Sequence, residues 1–132
     1  MDTELGRKSI YYYNRGYNCS QCVMKAADNC YELKLNRSAL NMCEGINNGQ
    51  GVGSVCSVLL AGIMIFGLLF DEDETKIARM MLLNKCCEKY GSLDCAVMKK
   101  WRKNGKNCED IIFDVSNMVG KIVEELRVTN YE

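Results

Sequence analysis

The run GVGSVCSVLLAGIMIFGLLF at residues 51–70 carries no charged side chain, and nothing else in the chain constrains the fold as strongly. Twenty such residues have the length of a membrane span. The first third is glycine and serine, however, and only residues 55–70 are densely apolar. That is short for a span and suited to the central helix of a bundle, so no membrane insertion is expected. A helix that is apolar all round has to be wrapped by others, and the rest of the sequence supplies them.

Proline is absent from all 132 residues and strand-like alternation is scarce, so helices dominate the expectation. Helical pieces are expected over about residues 3–15, 19–31 and 38–43, with Gly16-Tyr17-Asn18 as a break and cap between the first two. A glycine-rich loop at 46–53 leads into the apolar helix at Ser54. Asp71-Glu72-Asp73-Glu74 ends that helix and opens the next, over about 73–90, because acidic residues suit a first turn. Its inward stripe reads Ile77, Met80, Leu83 or Met81, Cys87 and Tyr90, and Gly91 closes it. A shorter helix covers about 94–101. Asn107 caps a last helix whose apolar face is Cys108, Ile111, Ile112, Val115, Val119, Ile122 and Leu126. The expected architecture is one cysteine-rich helical domain over 1–132: all-α, a compact bundle of five to six helices around the central apolar helix at about 54–70.

Seventeen basic residues balance seventeen acidic ones, so there is no global field to draw the protein to nucleic acid or anionic membrane. The start, MDTELGRKSI, has no apolar stretch of the secretory kind, which places the expectation in a reducing cytoplasm. Nine cysteines in that compartment read as metal or redox chemistry, and their odd number argues against a fully paired disulfide framework. The chain contains no histidine. General-base hydrolysis therefore has no obvious agent, no enzyme substrate is legible, and histidine-ligated or c-type haem is excluded.

Cys19, Cys56, Cys95 and Cys108 each follow a helix-starting residue within one to three positions: Asn18, Ser54, Asp94 or Ser92, and Asn107. A helix N-terminus presents unpaired N–H groups and a positive partial charge, which favour thiolate over thiol. Any one of these could be a small buried hydrophobe. Four placed alike suggest a collective site. Cys22 forms a two-residue-spaced pair with Cys19, and it serves equally as a packing residue or a further ligand. Cys30, Cys43, Cys86 and Cys87 fall within helices or towards their ends and read as buried or half-buried small residues, with Cys87 also a candidate ligand.

The glycines of residues 45–53, Gly51 and Gly53 among them, expose backbone N–H groups ahead of a helix. No Lys-Ser or Lys-Thr follows and no strand precedes, so this is not a nucleotide loop. Close approach of backbone to a prosthetic group or another helix near Cys56 is the better reading, since N–H groups around sulfur tune a cluster. Tyr11, Tyr12, Tyr13 and Tyr17 read as a packing cluster or a dry wall beside Cys19. The basic stretch at 99–106 reads as a solvated loop anchored by Trp101, with offsetting a cluster's charge as the sharper alternative.

Tyr17-Asn18-Cys19-Ser20-Gln21, Gly53-Ser54-Val55-Cys56, Tyr90-Gly91-Ser92-Leu93-Asp94-Cys95 and the final Cys108 together resemble the C_GCAxxG_C_C family over nearly the whole chain. The resemblance implies a redox role, often associated with an iron–sulfur cluster, and a similar domain accompanies haem in split-Soret cytochromes. It implies that the signature cysteines are Cys19, Cys56, Cys95 and Cys108. One departure stands out: the family's Gly-Ala-x-x-Gly after the second cysteine is replaced by Ser57-Val58-Leu59-Leu60-Ala61, with Gly62 one position later.

The expectation is thus a redox-active protein binding a [4Fe–4S] or [2Fe–2S] cluster, in electron transfer or cluster storage. Its ligands are Cys19, Cys56, Cys95 and Cys108, with Cys22 and Cys87 as additional candidates and Gly51 and Gly53 beside the cofactor. A redox partner protein is implied, and the tyrosine patch and apolar centre leave room for a homodimer. The alternatives are a thiol–disulfide oxidoreductase or redox sensor, and a structural zinc site with four cysteine ligands.

Overall fold

The computed structural model describes residues 2–101 and 108–130, with side chains to residue 100 and from 108 to 127. The basic loop at 102–106, the Asn107 cap and the Trp101 side chain lie outside that range. Seven α-helices form among the described residues: α1 (Glu4–Tyr13), α2 (Cys19–Tyr31), α3 (Arg37–Met42), α4 (Ser57–Leu69), α5 (Glu72–Tyr90), α6 (Cys95–Met98) and α7 (Glu109–Asn130). The fold is all-α as expected, and the short pieces expected at about 38–43 and 94–101 are α3 and α6.

Local chemistry explains most boundaries. Thr3, Asn18 and Asp71 accept hydrogen bonds from the backbone N–H groups of Gly6, Gln21 and Glu74, capping α1, α2 and α5. Asn18 and Gln21 complete a reciprocal capping box. Gly91 ends α5 in the left-handed region, at φ 72°.

α4 is the hub, packing against α2, α5 and α7, while α1 lies against α2 and α7. Val58, Leu59, Ala61, Ile65 and Phe66 are buried, so the helix is apolar because protein surrounds it. Among the described residues no helix is long and apolar enough to cross a membrane. The helix begins at Ser57, not Ser54, because Val55 is drawn into an antiparallel bridge with Asp94 and Cys56 becomes the cap. Gly62 lets α7 approach closely: a Cβ there would stand 2.8 Å from Val119 Cγ2.

The inward face of α5 differs from the expected stripe. Ala78, Leu82, Cys86 and Tyr90 are buried, whereas Ile77, Met80 and Cys87 are exposed. The doublets Met80-Met81, Leu82-Leu83 and Cys86-Cys87 offer two adjacent apolar lines, and periodicity alone does not choose between them. Small Ala78 and polar-tipped Tyr90 decide the register. The Tyr90 hydroxyl donates to Asp114 Oδ2 at 2.7 Å across the α5–α7 contact, and Lys89 Nζ reaches the same oxygen at 2.6 Å.

Candidate functional site

Four helix N-termini converge at one end of the bundle. Cys19 is the first residue of α2, Cys56 caps α4, Cys95 is the first residue of α6 and Cys108 directly precedes α7. All four line one cavity of about 20 Å³, together with Asn48, Ser57, Val58, Met98, Lys99 and Ile111. Cys56 and Cys95 are buried, and Cys19 and Cys108 are half-buried. All nine cysteines are thiols.

Backbone hydrogen bonds set the frame. Cys56 N donates to Leu93 O at 2.9 Å and Cys95 N donates to Ser54 O, on either side of the Val55–Asp94 bridge. This two-stranded clip fixes two of the four cysteines relative to one another. The α2 end is tied in by the Ser20 hydroxyl, 3.1 Å from the carbonyl oxygen of Cys43, and by the Asn18 cap.

The glycine-rich loop closes over this frame. Asn48, Gly49, Gln50, Gly51 and Gly53 all have positive φ, a run that two non-glycine residues join at a cost in backbone strain. Gln50 Nε2 holds the loop together by donating to Ile46 O at 3.2 Å and Val55 O at 2.8 Å. Gly49 makes the close approach: a Cβ there would stand 2.3 Å from Ser54 N and 2.9 Å from Cys95 Cβ. Gly51 has open space around its Cα and Gly53 packs against Ala96, and neither is among the residues lining the cavity.

The cavity's chemistry is set by burial more than by helix dipoles. The Cys19 thiol is pushed up by its hydrogen bond with the Cys108 thiol and then by desolvation. Burial raises Cys56 to about 11, although the backbone N–H groups of Leu59 and Val58 pull the other way. Helix N-termini are present as expected, but at Cys56 desolvation outweighs the opposing N–H groups, and at Cys19 the Cys108 hydrogen bond and burial together favour the protonated thiol. Tyr13 extends the aromatic wall to this site; burial and the nearby Cys108 and Cys19 thiols raise its hydroxyl. Lys99 Nζ donates to Asn48 Oδ1 at 3.2 Å, joining two cavity-lining residues at the exposed rim.

The extra candidates separate clearly. Cys22 is fully buried and its thiol donates to Tyr17 O, away from the cavity lining. Cys87 is exposed on α5, whereas its neighbour Cys86 is buried, 3.8 Å from the Sδ of cavity-lining Met98. Cys43 is buried and Cys30 half-buried, each outside the cavity. Asn48, Val58, Met98 and Ile111 carry no site signal of their own in the sequence, whereas Lys99 belongs to the basic stretch whose sharper reading is to offset a cluster's charge. Ile111 was findable, one helical turn beyond Cys108, and Asn48 is a left-handed-tolerant residue in a glycine loop.

The donor set suits soft metal chemistry: four sulfurs on four separate elements, with no imidazole to compete. The spacing is not that of a preformed ion cage. Among the described residues no three of Cys, Asp or Glu stand close enough together to hold a metal ion as placed. A cavity of about 20 Å³ has room for roughly one water. A multi-iron group fits these residues only if the Cys19–Cys108 contact parts.

The family model described as "Putative redox-active protein (C_GCAxxG_C_C)" matches residues 17–122, a span containing all four cavity cysteines. No curated protein and no solved structure matches the chain.

Proposed function

The chain belongs to the C_GCAxxG_C_C family of redox-active proteins, and from that premise we propose that it binds an iron–sulfur cluster through Cys19, Cys56, Cys95 and Cys108. Its role is electron transfer to a partner protein or cluster storage. One observation carries the reading: the four signature cysteines, spread over ninety residues of sequence, line a single cavity at four helix starts. Thiolate ligation of iron is the chemistry such a donor set supplies, with either [2Fe–2S] or [4Fe–4S] compatible with four sulfurs.

The electrostatics favour this over catalytic thiol exchange. An attacking cysteine works as a thiolate, and instead the Cys108 hydrogen bond and burial raise Cys19 while burial raises Cys56. A cation entering the cavity supplies the missing positive charge, so metal binding and proton release are coupled. Helix N-termini and the N–H groups of Val58 and Leu59 then favour the resulting negative charge. Val58 also forms part of the cavity wall beside Cys56.

Anaerobic purification followed by iron, sulfide and zinc analysis and a visible spectrum tests the proposal. Iron with matching sulfide and a brown colour that bleaches with dithionite is expected. A colourless protein containing zinc would replace the cluster with a structural zinc site, and a colourless protein free of metal after anaerobic reconstitution would leave thiol chemistry. Cys56→Ser and Cys108→Ser are expected to abolish iron retention, whereas Cys30→Ser retains it. Equal loss in all three, or in none, would overturn the ligand assignment.

A further inference from the structure

We propose that Cys19 and Cys108 form a reversible disulfide that closes the cavity and shuts the cluster out, so that oxidation locks the site and reduction opens it. The exclusion half rests on the four cysteines being ligands, and the pairing does not. Of the four cavity thiols, these two are half-buried and within reach of solvent reagents, whereas Cys56 and Cys95 are 5% and 8% exposed. Cys19 and Cys108 are also the two whose thiols hydrogen-bond to each other. Both border the same cavity.

The other pairings are worse. Cys56 and Cys95 sit diagonally across the Val55–Asp94 bridge, and diagonal neighbours stand about 7–8 Å apart, beyond the usual Cα spacing of a disulfide. Cys22 directs its thiol to Tyr17 O, and Cys86 directs its own towards Ser92 O and Met98 Sδ. Cys19 opens α2 and Cys108 directly precedes α7, so the two stand on separate elements.

The oxidant is a low-molecular-weight disulfide. One of the two cysteines, as thiolate, attacks a sulfur of glutathione disulfide, whose S–S bond breaks and releases one glutathione thiol. The second cysteine then attacks the mixed disulfide, the Cys19–Cys108 bond forms, and the second glutathione leaves with the second proton. Two cysteine thiols are oxidised by two electrons and one glutathione disulfide is reduced to two thiols. Burial of Cys19 makes this a slow lock and not a rapid exchange. The bridge closes the chain from residue 19 to residue 108, so the oxidised form also melts at a higher temperature.

The test uses the full chain, stripped with chelator and reductant, equilibrated in glutathione redox buffers, alkylated and digested with trypsin. An intact-mass loss of about 2 Da and a cross-link between tryptic peptides 16–25 and 107–121 are expected, both reversed by reductant. Peptide 16–25 also holds Cys22, so Cys22→Ser must keep the cross-link. Cys108→Ser must lose it, and if that variant does not fold, Cys19→Ser carries the same requirement. Iron and sulfide are then offered to both redox forms, and the oxidised form is expected to take up less than a tenth of the iron that the reduced form does. A different pairing, glutathione adducts alone, or equal iron uptake by the two forms would overturn the proposal. If the cross-link forms but the reduced protein takes up no iron, the cluster reading fails while the pairing stands.

Discussion

The two ends of α4 are held by different physics. Towards its C-terminal half, Ile65 and Phe66 are fully buried in the core that also holds Leu82 of α5 and Val119 and Ile122 of α7, and Gly62 brings α7 into close contact. At its N-terminus, Cys56 meets a narrow cavity, a two-residue backbone clip and a loop with five positive φ values. One end is specified by close packing of apolar side chains, and the other by hydrogen bonds and glycine conformations. Close packing fills its own space and leaves nothing to bind. The hydrogen-bonded end keeps sulfur facing inward, and its loop can shift without emptying the core.

If this division is real, damage at one end should leave the other's property intact. Phe66→Ala gives the largest expected loss of stability, about 3–5 kcal/mol by urea unfolding, because it empties the packed end. The folded fraction should still retain iron at wild-type stoichiometry. Iron lost in excess of the unfolded fraction would show that the two ends are one unit.

Gly49→Ala tests the other end. A Cβ at Gly49 collides with Ser54 N and falls on a residue with φ +59°, so the loop must move. A stability loss of about 1–3 kcal/mol is expected, together with loss of bound iron. Retained iron would show that the loop is not part of the site.

Proton linkage reads the burial of the sulfurs with solvent alone. Burial raises Cys56 to about 11 and Cys22 and Cys86 to about 12, from an ordinary 9.0. These thiols bind protons more tightly folded than unfolded. Their contribution is fully present below pH 9 and is lost as pH rises through the folded values. The melting temperature of reduced, chelator-treated protein should therefore fall between pH 8.5 and about 10, before lysines titrate. A flat profile would show that burial of these sulfurs is weaker than the structure indicates.

The packed end was largely legible in the sequence, and the site only in part. Uncharged residues 55–70 announce a wrapped helix, and the stripe from Ile111 to Ile122 on α7 is buried as its spacing requires. α5 was read one line off because its apolar doublets support two faces, and only the partner helices select between them. The four cysteines were legible because helix-start residues are a local signal. The Val55–Asp94 clip was not, since a single bridge between segments forty residues apart leaves no periodic trace. Nor was the dominance of burial over the backbone N–H groups at Cys56, or of the Cys108 hydrogen bond at Cys19. The dipole is written in local sequence, whereas desolvation depends on what the whole fold stacks around a thiol.

The smallest expected effect lies at the rim, where Lys99 Nζ donates to Asn48 Oδ1 across the cavity mouth. The contact is exposed, so Lys99→Met should change stability by less than about 0.5 kcal/mol. Its consequence is electrostatic. If the proposed cluster binds, an ammonium group lining the cavity would offset part of the ligands' negative charge, and removing it would leave the oxidised, less negative form relatively favoured. The reduction potential of the bound cluster should then become more negative in Lys99→Met, while Lys99→Arg keeps it near wild type. A shift shared by both variants would trace to the lost Asn48 contact, and the packed end of α4 should register neither change.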